Sequence, residues 1–323
     1  MAEVIALGEI LIDMVATAPN VSLFDAPSFA PKAGGAPANV AVGVQRAGRS
    51  AAFIGMVGAD EFGDGLRRTL ASEGVDVRYL LTDPLGQTTL ALVSLTDSGS
   101  PHFLFLASAH TRLALSDINV DFLQSASIFH CNSVSLAHEP VGSTTLAALH
   151  LARAAGLLCS YDVNWRPALW PDHALGLAAA AAPLQFTDVV KMNGEELALI
   201  TGMHDAVAGL RQLVTPAQLV TVTLGSQGCL YRFHDRLYHQ STLPHLHVVD
   251  TTGAGDAFMG ALLAVLPAKL DELTPTALNV MIRRASIAGS LATLQRGAIP
   301  SLPTAAAIDA HMDALVAGEE VVG

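Results

Sequence analysis

Eight short runs rich in Val, Ile, Leu or aromatic residues recur along the chain, most of them separated by Ala-rich stretches: VIALGEILIDMV, SAAFIGMVG, TLALVSLT, SIFHCNSV, LLCSYDVN, DVVKMN, LVTVTLG and GCLYRF. Strand-like runs that alternate with helix-length segments fold as a largely parallel sheet with crossover helices, because parallel neighbours cannot be joined by a tight turn. Apolar residues at three-to-four spacing predict helices over 39–47, 63–73, 144–155, 195–201 and 255–266, and the Ala178 to Ala182 tract reads as helix. The expected class is therefore α/β, a doubly wound sheet flanked by helices. The N-terminal MAEVIALGEILIDMV reads as one strand. The segment from Gly86 to Leu106 departs from the pattern, since two strand-like runs flank the polar stretch TDSGSPH with no helix between them, as in a hairpin. No fixed-period repeat and no Pro/Gly/Ser linker divides the 323 residues, so one domain over 1–323 with a small β-appendage is expected.

The residue balance says what such a domain can meet. Hydrophobic residues make up 51% and charged residues 14%, well under the roughly 25% of ordinary chains, so most of the sequence must be buried. A formal charge of −12 repels nucleic-acid backbone and anionic lipid, and no apolar stretch reaches the ~18 residues of a membrane span. Neither nucleic acid nor membrane is expected as a partner. A small anion remains compatible, because clustered backbone N–H groups oppose the global field. The three cysteines, Cys131, Cys159 and Cys229, show no metal-ligand or disulfide spacing, and no Lys or Arg precedes Lys32 to form a secretory n-region; a cytoplasmic protein is expected. His239, His245 and His247 are read as scattered surface histidines and not as metal ligands.

Two glycine-rich stretches carry the chemistry. In HVVDTTGAGDAFMGALLAVL, a strand runs through Gly253, Ala254 and Gly255 into a helix whose first turn holds Asp256. Such a turn aims several N–H groups at one point, at the positive end of a helix dipole, which suits phosphate. Asp256 is then placed either to accept a proton from a substrate hydroxyl or simply to cap the helix, and the local pattern leaves both open. In KAGGAPANVAVGVQRAG, Gly34 and Gly35 permit close backbone approach to a ligand, and Asn39 offers an amide suited to sugar hydroxyls.

In this order the two stretches resemble the two signatures of the PfkB, or ribokinase-like, family of carbohydrate kinases. The likeness runs from GEILIDMV at Gly8 to RGAIPSLP at Arg296, through FIGMVGADEFGDGLRRTLASEGVD, YDVNWRPALW, KMNGEE and TVTLGSQG. The resemblance implies a Rossmann-like α/β domain with a small β-sheet lid, formed by segments 10–33 and 86–108. It implies ATP as phosphate donor with Mg²⁺; a homodimer paired through the lid is expected separately, because a small isolated sheet leaves edges and an apolar face exposed. It makes Asp256 the catalytic base and Gly253, Ala254 and Gly255 the anion hole. Asp13, Gly34, Gly35 and Asn39 become sugar contacts; Thr223, Gly225 and Gly228 become nucleotide contacts, with a plain β-turn as the alternative. Asn193 and Glu196 match the arrangement that organises Mg²⁺ and phosphate through water, although the same spacing is that of an ordinary capping box. Lys191 beside them either adds positive potential to the site or, as is commoner, is a solvated lysine. Asp250, Thr252, Gly297 and Ser301 match positions whose oxygens hold a monovalent cation such as K⁺, in keeping with an all-oxygen, hard-cation donor set.

Within the family, GEILIDMV, FHCNSVSL and YDVNWRPALW resemble fructokinases, which places D-fructose first among acceptors. Arg166 is a candidate for substrate oxygens or phosphate, with a structural ion pair as its alternative. His110 stands where relatives commonly have Asp at the end of the lid. Two neighbouring subgroups share the YDVNWR pattern. A 2-keto-3-deoxygluconate kinase needs a cation for the acid, from Arg166, Arg112 or His102, and an aminoimidazole riboside kinase needs aromatics such as Phe103 and Phe105 for the base. A non-catalytic sensor of the same fold is the alternative from another class, and it has no need of a base at Asp256.

Overall fold

The structure, a computed structural model, describes residues 2–95 and 101–321. Strands β1 (Val4–Leu7), β2 (Leu11–Ala16), β3 (Phe29–Gly34), β4 (Ala51–Gly58), β5 (Asp76–Asp83), β6 (Leu90–Leu95) and β7 (Pro101–Leu106) occupy the N-terminal third. They are followed by β8 (Ile128–Asn132), β9 (Leu158–Asp162), β10 (Val189–Asn193), β11 (Leu219–Thr223), β12 (Cys229–Phe233), β13 (Arg236–Gln240) and β14 (Glu319–Glu320). The large sheet has the order β14-β13-β12-β11-β10-β9-β8-β1-β4-β5, parallel from β11 through β5 and antiparallel at the β12 to β14 end. Strands β1, β4, β8 and β9 are buried along their whole length, which explains why they read as continuous apolar runs and do not alternate. Alternate residues feed two cores, one on each face: Val4 and Ala6 join one cluster, Ile5 and Leu7 the other.

From β1 the chain builds outward to β4 and β5 on one side, then returns to build β8 to β11 on the other. Strand order therefore reverses between β1 and β8, and the carboxyl ends of the parallel strands open a crevice there, the usual ligand position in such sheets. The second sheet, β3-β2-β6-β7, is small; the hairpin expected from Gly86 to Leu106 is its β6/β7 pair, antiparallel with Leu90 opposite Leu106. Residues 96–100 of the TDSGSPH stretch lie outside the described residues.

The N-terminal run differs from its reading as one strand. It forms β1 and β2, in different sheets, because β1 is flanked by β4 and β8 while β2 pairs with β3 and β6. The break at Gly8 to Ile10 brings the backbone close to the helix that follows β3, since a Cβ on Gly8 would lie 2.7 Å from Pro37 Cγ. The five helices expected from apolar spacing begin one to three residues earlier, at Ala36, Glu61, Val141, Gly194 and Ala254. Strand β5 and the long helix Pro275–Ala292, capped by Thr274 accepting from Ala277 N, were not expected.

Candidate active site

Two helices built from the glycine-rich stretches meet over the crevice. Ala36–Arg46 and Ala254–Val265 cross at Gly43 and Gly260, where a Cβ on Gly260 would fall 2.8 Å from Gly43 Cα. Only glycine lets the backbones come this close. Asn39 and Asp256 sit four residues before those glycines, one turn up the same faces, and so face each other: Asn39 Nδ2 donates to Asp256 Oδ2 at 2.8 Å. Asn39 Oδ1 is buried with no hydrogen-bond partner among the described residues, leaving an acceptor over for a ligand.

Asp256 is in the first turn after Gly253, which holds the left-handed conformation (φ 80°). Burial pushes its carboxyl above the ordinary carboxylate range, while the Asn39 bond and the charges of Lys191 and Arg166 pull it back. Asp13 on β2 lies close to both Arg166 and Asp256, and burial raises it to about 6 against the opposing charge of Arg166. Its carboxylate lies against Gly34, in the space a Cβ there would need. Arg166 donates to Trp165 O at 3.0 Å and forms no ion pair among the described residues, so the structural-pair alternative is not realised. Arg112 is instead paired with Asp83 at 3.0 Å. His110 is buried and neutral, its pKa lowered to about 4 by burial, with Nδ1 2.6 Å from Thr89 Oγ1.

The capping-box alternative for KMNGEE is realised in full. Asn193 Oδ1 accepts from Glu196 N at 2.8 Å and Glu196 Oε2 accepts from Asn193 N at 2.7 Å, while Glu196 Oε1 accepts from Trp165 N at 2.8 Å. Lys191 is not solvated, as its sequence context suggested. It is buried on β10 and pairs with Asp162 of the adjacent β9 at 2.8 Å, because an inward position on a central parallel strand has no route to water. Thr223, Gly225, Gly228, Ala254, Gly255 and Phe258 line a cavity of ≈ 680 Å³ that also takes in the 242–248 loop and one face of Pro275–Ala292. Beside it, Asp250 is held below the ordinary range despite its partial burial, because it accepts from Gly297 N (2.9 Å), Thr252 N (2.9 Å) and Thr252 Oγ1 (2.7 Å). Asp250, Thr252 and Gly297 are thus joined directly, whereas Ser301 ends the short helix that follows Gly297 and its hydroxyl donates to Ala298 O. His245 borders the cavity, His239 Nε2 lies 2.7 Å from Gln227 O, and no group of three metal-ligating side chains occurs among the described residues.

The sequence profile of pfkB family carbohydrate kinases matches residues 1–305, the stretch that contains every site residue named above. The chain belongs to the pfkB family of carbohydrate kinases. It is 41% identical over 315 residues to fructokinase-1 of Zea mays, covering 94% of this chain and 96% of that one, and 41% identical to fructokinase-1 of Oryza sativa, covering 93% and 94%. Among solved structures, fructokinase from Vibrio cholerae in a form bound to fructose, ADP and calcium matches with TM-score 0.84 at 32% identity, over 97% and 99% of the two chains. Fructokinase from Xylella fastidiosa with bound ATP matches with TM-score 0.87 at 30% identity, over 97% and 99%.

A pfkB family kinase works on a sugar hydroxyl and a nucleotide, and the structure adds residues to the site that the sequence reading passed over. Glu9, two residues past β1, is buried; its Oε1 accepts from Asn132 Nδ2 and from Ala36 N, both at 3.0 Å, and burial raises its pKa to about 7. Glu9 Oε2, Asn132 Oδ1, Asn164 Oδ1, Ser135 Oγ and Asp162 Oδ1 are all buried without a hydrogen-bond partner among the described residues. They sit at or just past the carboxyl ends of β1, β8 and β9. Their one visible signal was polarity inside apolar runs, the Glu of GEILIDMV and the Asn of FHCNSV. The donor set around Glu196 also fits hydrated Mg²⁺, since both carboxylate oxygens keep lone pairs and the unpartnered Asp162 Oδ1 is an electrostatic neighbour.

Proposed function

We propose that the protein is an ATP-dependent fructokinase that transfers the γ-phosphate to a hydroxyl of D-fructose, with Asp256 as general base. The observation that carries the mechanism is the Asn39–Asp256 bond at the start of a glycine-turn helix, beside buried acceptors that no protein donor fills. The sugar would lie against Asp13, Gly34, Gly35, Asn39 and Arg166. Asp256 takes the proton as the hydroxyl oxygen bonds to the γ-phosphorus; the bond to the β-phosphate oxygen breaks and ADP leaves. N–H groups of Gly253, Ala254 and Gly255 meet the charge that builds on the transferred group. Mg²⁺, held through water by Asn193 and Glu196, would neutralise the phosphates. The cavity by Thr223, Gly225 and Gly228 takes the nucleotide. Fructokinases among the relatives and the pairing of Arg112 with Asp83 favour a neutral sugar over a sugar acid. Steady-state assays with Mg-ATP are expected to give the highest kcat/KM for fructose against ribose, 2-keto-3-deoxygluconate and aminoimidazole riboside; a higher value for any other would reassign the acceptor.

Three further expectations belong to this reading. The small sheet acts as a lid over the sugar, and its β3 and β7 edges, with half-exposed Leu104 and Leu106, suit pairing with a second copy. Sedimentation as a dimer at micromolar concentration checks this. K⁺ at Asp250, Thr252, Gly297 and Ser301 would rigidify the anion-hole turn, so activity is expected to rise in K⁺ relative to a bulky organic cation at equal ionic strength. Equal rates would show that the loop binds none. All three cysteines are free and buried, which suits a reducing setting such as the cytoplasm; no helix among the described residues is long and apolar enough to cross a membrane.

A further inference from the structure

The buried acids of this site pose an electrostatic problem. Glu196 and Asp256 both lie within the field of Asp162, with Asp13 beside Asp256, at the place where a triphosphate must arrive. Lys191 is the buried cation among them. One of its three donors is used on Asp162 Oδ2 at 2.8 Å. Its Nζ also stands where the anion-hole turn leaves room for it: a Cβ on Gly255 would lie 2.8 Å from Nζ and 3.4 Å from Cε. The glycine at 255 therefore does more than free a dihedral angle, since any side chain there would displace the ammonium. The ion pair with Asp162, 2.8 Å long, fixes the ammonium in this buried place.

We infer that Lys191 is a catalytic residue of the phosphoryl transfer: held by Asp162 under Gly255, its ammonium meets the equatorial oxygens of the γ-phosphoryl group. This rests on the kinase reading above. The ammonium keeps its proton throughout, and the hydroxyl proton still goes to Asp256. Lys191 adds a fixed positive charge, in a site largely closed to water, where the transferring group spreads its negative charge. Asp162 is the positioning residue that keeps Nζ from turning toward Glu196 or Asp256.

A purely structural ion pair would look the same in the resting fold, so the test must separate the two roles. Removing one member of a buried pair leaves an uncompensated charge and destabilises the fold, whereas replacing both by neutral residues of like size restores it. Asp162→Asn with Lys191→Met is expected to recover the thermal stability that Lys191→Met alone loses, yet to keep a kcat ~10²–10³-fold below the parent, with KM for fructose little changed. Binding supplies a readout independent of turnover. A non-hydrolysable ATP analogue should bind the double variant more weakly, while ADP, which lacks the γ-phosphate, should bind as in the parent. Lys191→Gln, which keeps a donor toward Asp162, carries the same expectations should the double variant not fold. If kcat returns together with stability, or the analogue and ADP are affected alike, Lys191 is structural and the inference is wrong. A parent chain that phosphorylates no sugar would instead overturn the kinase reading itself.

Discussion

Replacing Asp256 with Asn is expected to lower kcat by ~10²–10⁴-fold while sugar and nucleotide affinities stay close to those of the parent. Asn keeps the size of the side chain, an oxygen able to accept from Asn39 Nδ2, and the capacity to cap the helix. What it removes is the proton acceptor. In the parent, burial raises the Asp256 pKa, so the base is protonated over a wider acid range than an exposed Asp near 3.9. A general base works only when ionised; kcat/KM should therefore rise with pH through an acid limb above the ordinary carboxylate range. Thermal unfolding of the variant supplies the folding control. A stable Asn variant with parental kcat would mean that Asp256 is only a cap.

The second large effect is expected at Asp13. The carboxylate is raised to about 6 and so remains mostly ionised at pH 7, beside Arg166 and with no hydrogen-bond donor to it among the described residues. Hydrogen bonds from sugar hydroxyls to a charged acceptor contribute about 1.5–3 kcal/mol each. Asp13→Asn exchanges one acceptor oxygen for a donor and should raise KM for fructose ~10–100-fold, with KM for ATP unchanged. Steady-state kinetics with each substrate varied in turn checks the split, and an unaltered fructose KM would remove Asp13 from the sugar site.

These two residues show where a sequence is readable and where it is not. Asp13 and Asp256 each stand in a run whose pattern is local: an acid in ILIDMV, an acid after Gly-Ala-Gly. The glycine turns, the parallel sheet and the β6/β7 hairpin are likewise set by neighbours along the chain, and the sequence predicts them closely. Lys191 reads as a solvated lysine from its sequence because the environment that buries it is not local. Its burial follows from β10 lying between β9 and β11, and its partner is 29 residues away. The bond between Asn39 and Asp256 spans 217 residues and depends on two glycines, Gly43 and Gly260, that become neighbours only when the helices cross. Glu9 and Asn132 belong to the same class: polar groups in apolar runs, each unremarkable alone, that form one hydrogen-bonded floor when β1 and β8 pair. The N-terminal run reads as one strand because nothing in its composition tells that β1 and β2 serve different sheets.

Phosphorus NMR of the purified chain with Mg-ATP and D-fructose tests the central claim most directly. The predicted result is a new phosphomonoester resonance that grows in step with ADP, absent when fructose is left out. Formation of ADP and inorganic phosphate alone, or no change in the presence of fructose, would contradict it.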